Sequence, residues 1–186
     1  MVTIEKGNVI SVLYKPEKDD MDRGICLWAR FYVDLDRYAL MIDSDCGSYL
    51  YRWVPTPTTE PFLHLLGRMN TSYLLDKISD RSEIDGEATA DSIVDYVQEA
   101  AAEEGIRLNR EEIQEIRKAC YHNGSMQELV AEVLDSIEER SFRKALSENM
   151  YDLLCCVQKD YPLQAKIIVS IFNNYIRPEL RKMETV

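Results

Sequence analysis

Between residues 8 and 54 the apolar side chains come in four short runs, each broken by a turn signal, and from residue 60 onward they recur at helical spacing. Short connections favour antiparallel neighbours, because parallel strands need a long crossover. The chain therefore reads as α+β: an N-terminal antiparallel β-meander of about four strands followed by a C-terminal bundle of about five to seven helices. The expected strands are 8–14, 25–33, 38–43 and 49–54, rich in β-branched and aromatic residues. Asp34-Leu35-Asp36-Arg37 is turn-like because Asp side chains close the backbone locally. Gly47, in the next turn, is free to take a positive φ.

Pro55 and Pro57 end the sheet. Thr58 or Thr59 is expected to cap a helix with Glu60 and Pro61 in its first turn. Phe62, Leu65, Leu66 and Met69 give that helix its apolar side, and a second short one follows through Tyr73 to Ile78. Residues 79–90 are polar around Gly86 and read as a linker. The expected organisation is thus 1–78 as meander with two short helices, 79–90 as linker, and 91–186 as a helical subdomain. Within the latter, helices are expected from Asp91 to Gly105, from Asn109 to Asn123-Gly124, from Ser125 with a capping box to Glu128, over 142–160, and over 162–182. Pro178 is expected to kink or end the last one.

The chain has 186 residues, five cysteines and a formal charge of −11. Cys26, Cys46, Cys120, Cys155 and Cys156 are odd in number and irregular in spacing, which suits reduced thiols in a cytoplasmic protein better than a secreted disulfide framework. Met-Val-Thr-Ile-Glu-Lys does not read as a signal peptide, and no run of about 18 apolar residues predicts a membrane span. The charge is concentrated: residues 76–140 hold 18 acids and 7 bases, a net of −11. Such a surface disfavours direct nucleic-acid binding, which depends on Lys and Arg displacing counterions. It suits a basic protein surface, reached quickly and in a preferred orientation.

Catalytic signatures are weak. Asp34, Asp36, Asp43 and Asp45 cluster around the meander turns and could hold Mg²⁺ or Ca²⁺ for phosphodiester chemistry, although Asp is also the ordinary residue of turns. The Asp43-Ser44-Asp45-Cys46-Gly47 run starts like an EF-hand loop, but Val54 stands where the bidentate Glu is needed. Cys120 and His122 offer two zinc ligands with no second pair nearby in sequence, His64 sits beside the apolar positions of its helix, and Cys155-Cys156 suit core packing. The seven glycines form no phosphate-binding loop. No cofactor is expected.

Ala29-Arg30-Phe31-Tyr32-Val33-Asp34-Leu35-Asp36, Ser44-Asp45-Cys46-Gly47, Tyr51-Arg52-Trp53-Val54-Pro55 and Phe62-Leu63-His64-Leu65 resemble segments of uncharacterised phage and prophage proteins of Gram-positive gut bacteria, over about the first 80 residues. The resemblance implies a mobile-element origin and a bacterial host cytoplasm. Small acidic phage proteins include anti-CRISPR inhibitors of RNA-guided nucleases, whose nucleic-acid channels are positively charged.

The leading expectation is a non-enzymatic acidic binding protein, a phage-derived inhibitor of a host nucleic-acid-processing machine. Its partner would be an RNA-guided nuclease or another nucleic-acid-binding protein. Asp91, Asp95, Glu99, Glu103, Glu128, Glu132, Asp135, Glu138 and Glu139 would face basic residues of that partner. Two alternatives stand beside it: a metal-dependent phosphodiesterase-like enzyme using the four meander aspartates, and a homo-oligomeric phage accessory or structural protein pairing through the broad apolar stripe at 163–176.

Overall fold

The computed structural model describes residues 7–17, 25–56, 58–121 and 125–184. Strands β1 (Val9–Tyr14), β2 (Ala29–Asp34), β3 (Ala39–Ser44) and β4 (Gly47–Arg52) form an antiparallel sheet in sequential order. Alternation fixes the register, since a slip by one residue would turn every apolar side chain to the other face. Two inward rows, Ile10–Val33–Leu40–Tyr51 and Val12–Phe31–Ile42–Tyr49, cross all four strands. The β2–β3 turn closes on Asp34, whose Oδ1 accepts from the N–H groups of Asp36 and Arg37 at 3.1 and 2.9 Å. In the β3–β4 hairpin Ser44 pairs with Gly47, leaving Asp45-Cys46 as a two-residue loop, and Gly47 takes φ 111°. β2 begins four residues later than expected because Leu27 and Trp28 turn aside to donate their N–H groups to Asp45.

Helices α1 (Phe62–Arg68) and α2 (Thr71–Ile78) follow. Neither Thr58 nor Thr59 caps α1: its N-cap is Pro61, and Thr59 Oγ1 instead accepts from Thr56 N at 2.6 Å, closing the preceding turn. Asn70 caps α2 through Tyr73 N.

Strand β5 (Glu83–Ile84) and helix α3 (Gly86–Glu103) occupy most of the segment expected as a linker. Asp85 accepts from Ala88 N, so α3 starts five residues before Asp91. It ends as expected at Gly105, φ 67°, where Ile106 N bonds to Ala101 O at 2.8 Å. Next come α4 (Arg110–Ala119) and α5 (Met126–Asp135), each opened by the capping box that its sequence carries. The expected end of α4 at Asn123-Gly124, like His122, lies outside the described residues. The single helix expected over 142–160 is two, α6 (Arg140–Glu148) and α7 (Met150–Cys155), followed by strand β6 (Lys159–Asp160). The chain leaves the helix after α7 because it finds better partners far along the sequence. Gln158 exchanges bonds with Thr89 and its carbonyl accepts from Asp85 N, and β6 pairs antiparallel with β5.

Helix α8 (Leu163–Ile171) runs through a π-helical turn (Phe172–Ile176) into α9 (Arg177–Glu184). Pro178 has no N–H, and the π turn just before it lets Arg177 N reach back to Phe172 O, so the helix continues past the proline. The stripe expected to pair with a second copy is largely consumed internally: Ile168, Ile171, Phe172 and Ile176 are buried with the sheet, Phe172 facing Phe31 at 6.0 Å, while Leu163 stays exposed. Arg181 Nε donates to Gly67 O at 2.8 Å and Arg177 to Met69 O, satisfying carbonyls at the end of α1.

The chain thus divides into two compact units, 1–81 with 161–186, and 82–160. This differs from the division expected from the sequence, in which all of 91–186 formed one part. The last helices belong with the sheet because their apolar side chains are buried in its core, whereas residues 82–160 bury a separate one around Ile93, Val97, Ile116, Leu129 and Val133.

Candidate functional site

The unit boundary sorts the charge. Residues 82–160 hold 19 acids and 8 bases, a net of −11, while the other unit holds 14 of each and is neutral. The helical unit alone therefore carries the net charge of the protein.

Amphipathic spacing places these acids outside. On α3, Asp91, Asp95, Glu99 and Glu103 recur every four residues on the solvent side, opposite buried Ile93, Val94, Val97 and Ala101. They do not join the α5 acids in one row. Arg117 of α4 reaches Asp91 at 2.7 Å, and neighbouring Lys118 pairs with Glu115, so a basic last turn stands at the α4 end.

Three of the other expected contact residues are tied into the fold, Glu128 and Glu139 locally through their carboxylates and Glu138 through its backbone N–H. Glu128 accepts from Ser125 N at 2.7 Å in the α5 capping box. Glu139 caps α6, and bonds from the Ser141 hydroxyl and N–H hold its carboxyl below the usual range. Glu138 gives its N–H to Glu112. Their carboxylates remain exposed, but those of Glu128 and Glu139 are oriented by the backbone.

Glu132 and Asp135 do converge. With Glu115, Lys118, Ala119, Tyr121 and Ser136 they line an open cleft of about 520 Å³ on α4 and α5. Glu115 and Tyr121 were not anticipated from the sequence. Tyr121 is 60% exposed, large for an aromatic ring that serves no core. Lys118 already pairs with Glu115 and Arg143 stands 3.9 Å from Asp135, so an incoming guanidinium, which forks onto carboxylates and stacks on aromatic faces, would have to share or displace these cations.

The four meander aspartates are not brought together. Asp34 and Asp36 stand at the β2–β3 turn and Asp43 and Asp45 at the opposite end of β3, about 15 Å away at the rise of a strand. Each is also engaged: Asp34 in its turn, Asp36 by Asn8 N at 2.8 Å, Asp43 by Ser48 Oγ at 3.0 Å, and Asp45 by Leu27 N at 2.7 Å. A single two-metal centre cannot use all four. His64 pairs with Glu60 at 2.5 Å. Cys120 is buried and its thiol donates to Ile116 O; burial pushes that thiol up to about 11. The five cysteines are free thiols, and Cys155, expected in the core, is exposed because it lies two residues past buried Leu153, on the other side of α7. Among the described residues no helix is long and apolar enough to cross a membrane.

A family model described as "Phage family" (Phage_phiTE_072) matches residues 4–182, nearly the whole chain. No curated protein and no solved structure matches it.

Proposed function

The chain belongs to this phage family, and from that premise we propose that it is a non-enzymatic binding protein that inhibits a basic, nucleic-acid-processing machine of the host. The specific target class is an RNA-guided nuclease. The observation that carries the reading is the segregation of charge: one unit holds a net of −11 and the other is neutral. Exposed carboxylates on α3 and α5 replace phosphates electrostatically in a channel that has evolved to hold a polyanion. The cleft of Glu115, Glu132, Asp135 and Tyr121 takes an arginine of that channel.

Size-exclusion co-elution with a type II RNA-guided nuclease, with and without guide RNA, tests the target. Binding at about 150 mM salt that is lost near 500 mM supports the reading, because exposed charges are screened over a few ångströms at high salt. Absence of co-elution in every state removes this target.

A further inference from the structure

We propose that Cys26, Cys46 and Asp45 form a binding site for one zinc-like, thiophilic divalent cation. It lies in the sheet-bearing unit, so it stands or falls apart from the acidic surface.

Three features of the chain assemble this cluster. The two-residue β3–β4 loop presents Asp45 and Cys46 side by side. Residues 26–28, turned out of β2, fold back on that loop through Leu27 N, Trp28 N and Trp28 O, all bonded to Asp45. Cys26, 0% exposed, is thereby brought against Asp45, with its Sγ 3.2 Å from Oδ1. The two sulfurs and a carboxylate oxygen all lie within 4.8 Å of one another. Around a tetrahedral zinc, two thiolate sulfurs stand roughly 3.8 Å apart and a sulfur and carboxylate oxygen about 3.5 Å apart. The sulfur–oxygen distance of 3.2 Å is close to that value, and the sulfurs, within 4.8 Å, need draw in by no more than about 1 Å.

The donor set selects the cation. Two sulfurs favour zinc and similar ions over Mg²⁺ or Ca²⁺, which want all-oxygen shells. The second Asp45 oxygen is fixed by Leu27 N–H, the kind of outer bond that orients a metal-binding carboxylate. Without metal, both thiols act as weak donors, Cys26 to Asp45 and Cys46 to Ile25 O at 3.3 Å, and burial with Asp45 and Cys46 alongside pushes the Cys26 thiol up. Binding of M²⁺ replaces the two thiol protons, which pass to the buffer; with the ionised Asp45 the three ligands carry −3 against +2, a net of −1, and the fourth tetrahedral position is left to solvent. The metal ties the hairpin loop to the segment leading into β2.

The test is titration of the reduced, chelator-treated full chain with Co²⁺, followed by competition with Zn²⁺. The expected result is one equivalent per chain, thiolate-to-cobalt charge-transfer absorption, release of about two protons per metal, and a rise in melting temperature. Cys46→Ser and Cys26→Ser should abolish the absorption. Asp45→Asn, which leaves the buried thiols in place, should weaken binding at least about tenfold. A Cys155→Ser/Cys156→Ser double variant should bind like the wild type. No saturable thiolate absorption, absorption that persists in Cys46→Ser, unchanged affinity in Asp45→Asn, or loss of binding in the double variant would each overturn the site.

Discussion

Glu112, on α4, accepts the N–H of Glu138 at 3.0 Å through one carboxylate oxygen, while the other accepts Asn109 N at 2.8 Å. A single buried acid therefore satisfies the start of its own helix and the chain leaving α5, 26 residues away.

Removing it leaves two backbone donors without their acceptor. Glu112→Ala should destabilise the protein by about 2–4 kcal/mol, given the cost of orphaned buried groups. Glu112→Gln keeps an acceptor for one of them and should cost less. Urea unfolding followed by helical circular dichroism measures both, and equal losses would show that the bonds do not matter.

Gly86 opens α3, where alanine would ordinarily gain about 1 kcal/mol. Here a Cβ would stand 2.9 Å from Tyr121 Cδ1 and 3.1 Å from the Cys120 carbonyl. The ring can swing but the carbonyl is backbone, so Gly86→Ala should destabilise by about 1 kcal/mol or more and shift Tyr121, a wall of the acidic cleft. Melting temperature and tyrosine fluorescence read the two effects; a stabilised variant would refute the crowding.

Asp45 has a carboxyl held below its usual range: burial pulls it upward, but bonds from Leu27 N–H, the Cys26 thiol and Trp28 N–H outweigh that. A carboxylate lowered on folding contributes stability above its unfolded value, and that contribution is lost as pH falls through the folded one. The metal-free protein should therefore lose stability on acidification below the ordinary aspartate range. Asp45→Asn should flatten that part of the curve. Unfolding across pH 2–7 checks this, and an identical acid limb in the variant would contradict it.

What was legible in the sequence was local. The four strand runs, the cap at Asn109, the capping box at Ser125, the Gly105 terminus and the positive φ of Gly47 follow from bonds within a few residues and are legible in the sequence, apart from the start of β2, which Asp45 decides. The errors came where distant partners decide. Gly86 looked like a linker residue, yet Asp85 caps a helix there and β5 is held by β6 some 75 residues on. Residues 142–160 kept an apolar pattern, but Gln158 is drawn out of the helix by Thr89. The site shows the same limit. Glu132 and Asp135 lie three apart on α5 and were visible as a face, whereas Glu115 and Tyr121 join them only through the packing of α4 against α5.

Charge reversal separates a shaped cleft from a merely acidic surface. The triple change Glu115→Lys, Glu132→Lys, Asp135→Lys touches no capping bond, and removes the cleft acids with a charge change of +6. Reversing Asp95, Glu99 and Glu103 on α3 makes the same change elsewhere.

Affinity for a basic nuclease channel, measured for the wild type and both triple variants across a salt series, tests the central claim most directly. The predicted result is binding that weakens steeply with salt, falls at least about tenfold in either variant, as expected for interfacial charge, and falls furthest in the cleft variant. Affinity that is indifferent to salt and to both reversals would contradict an acidic interface.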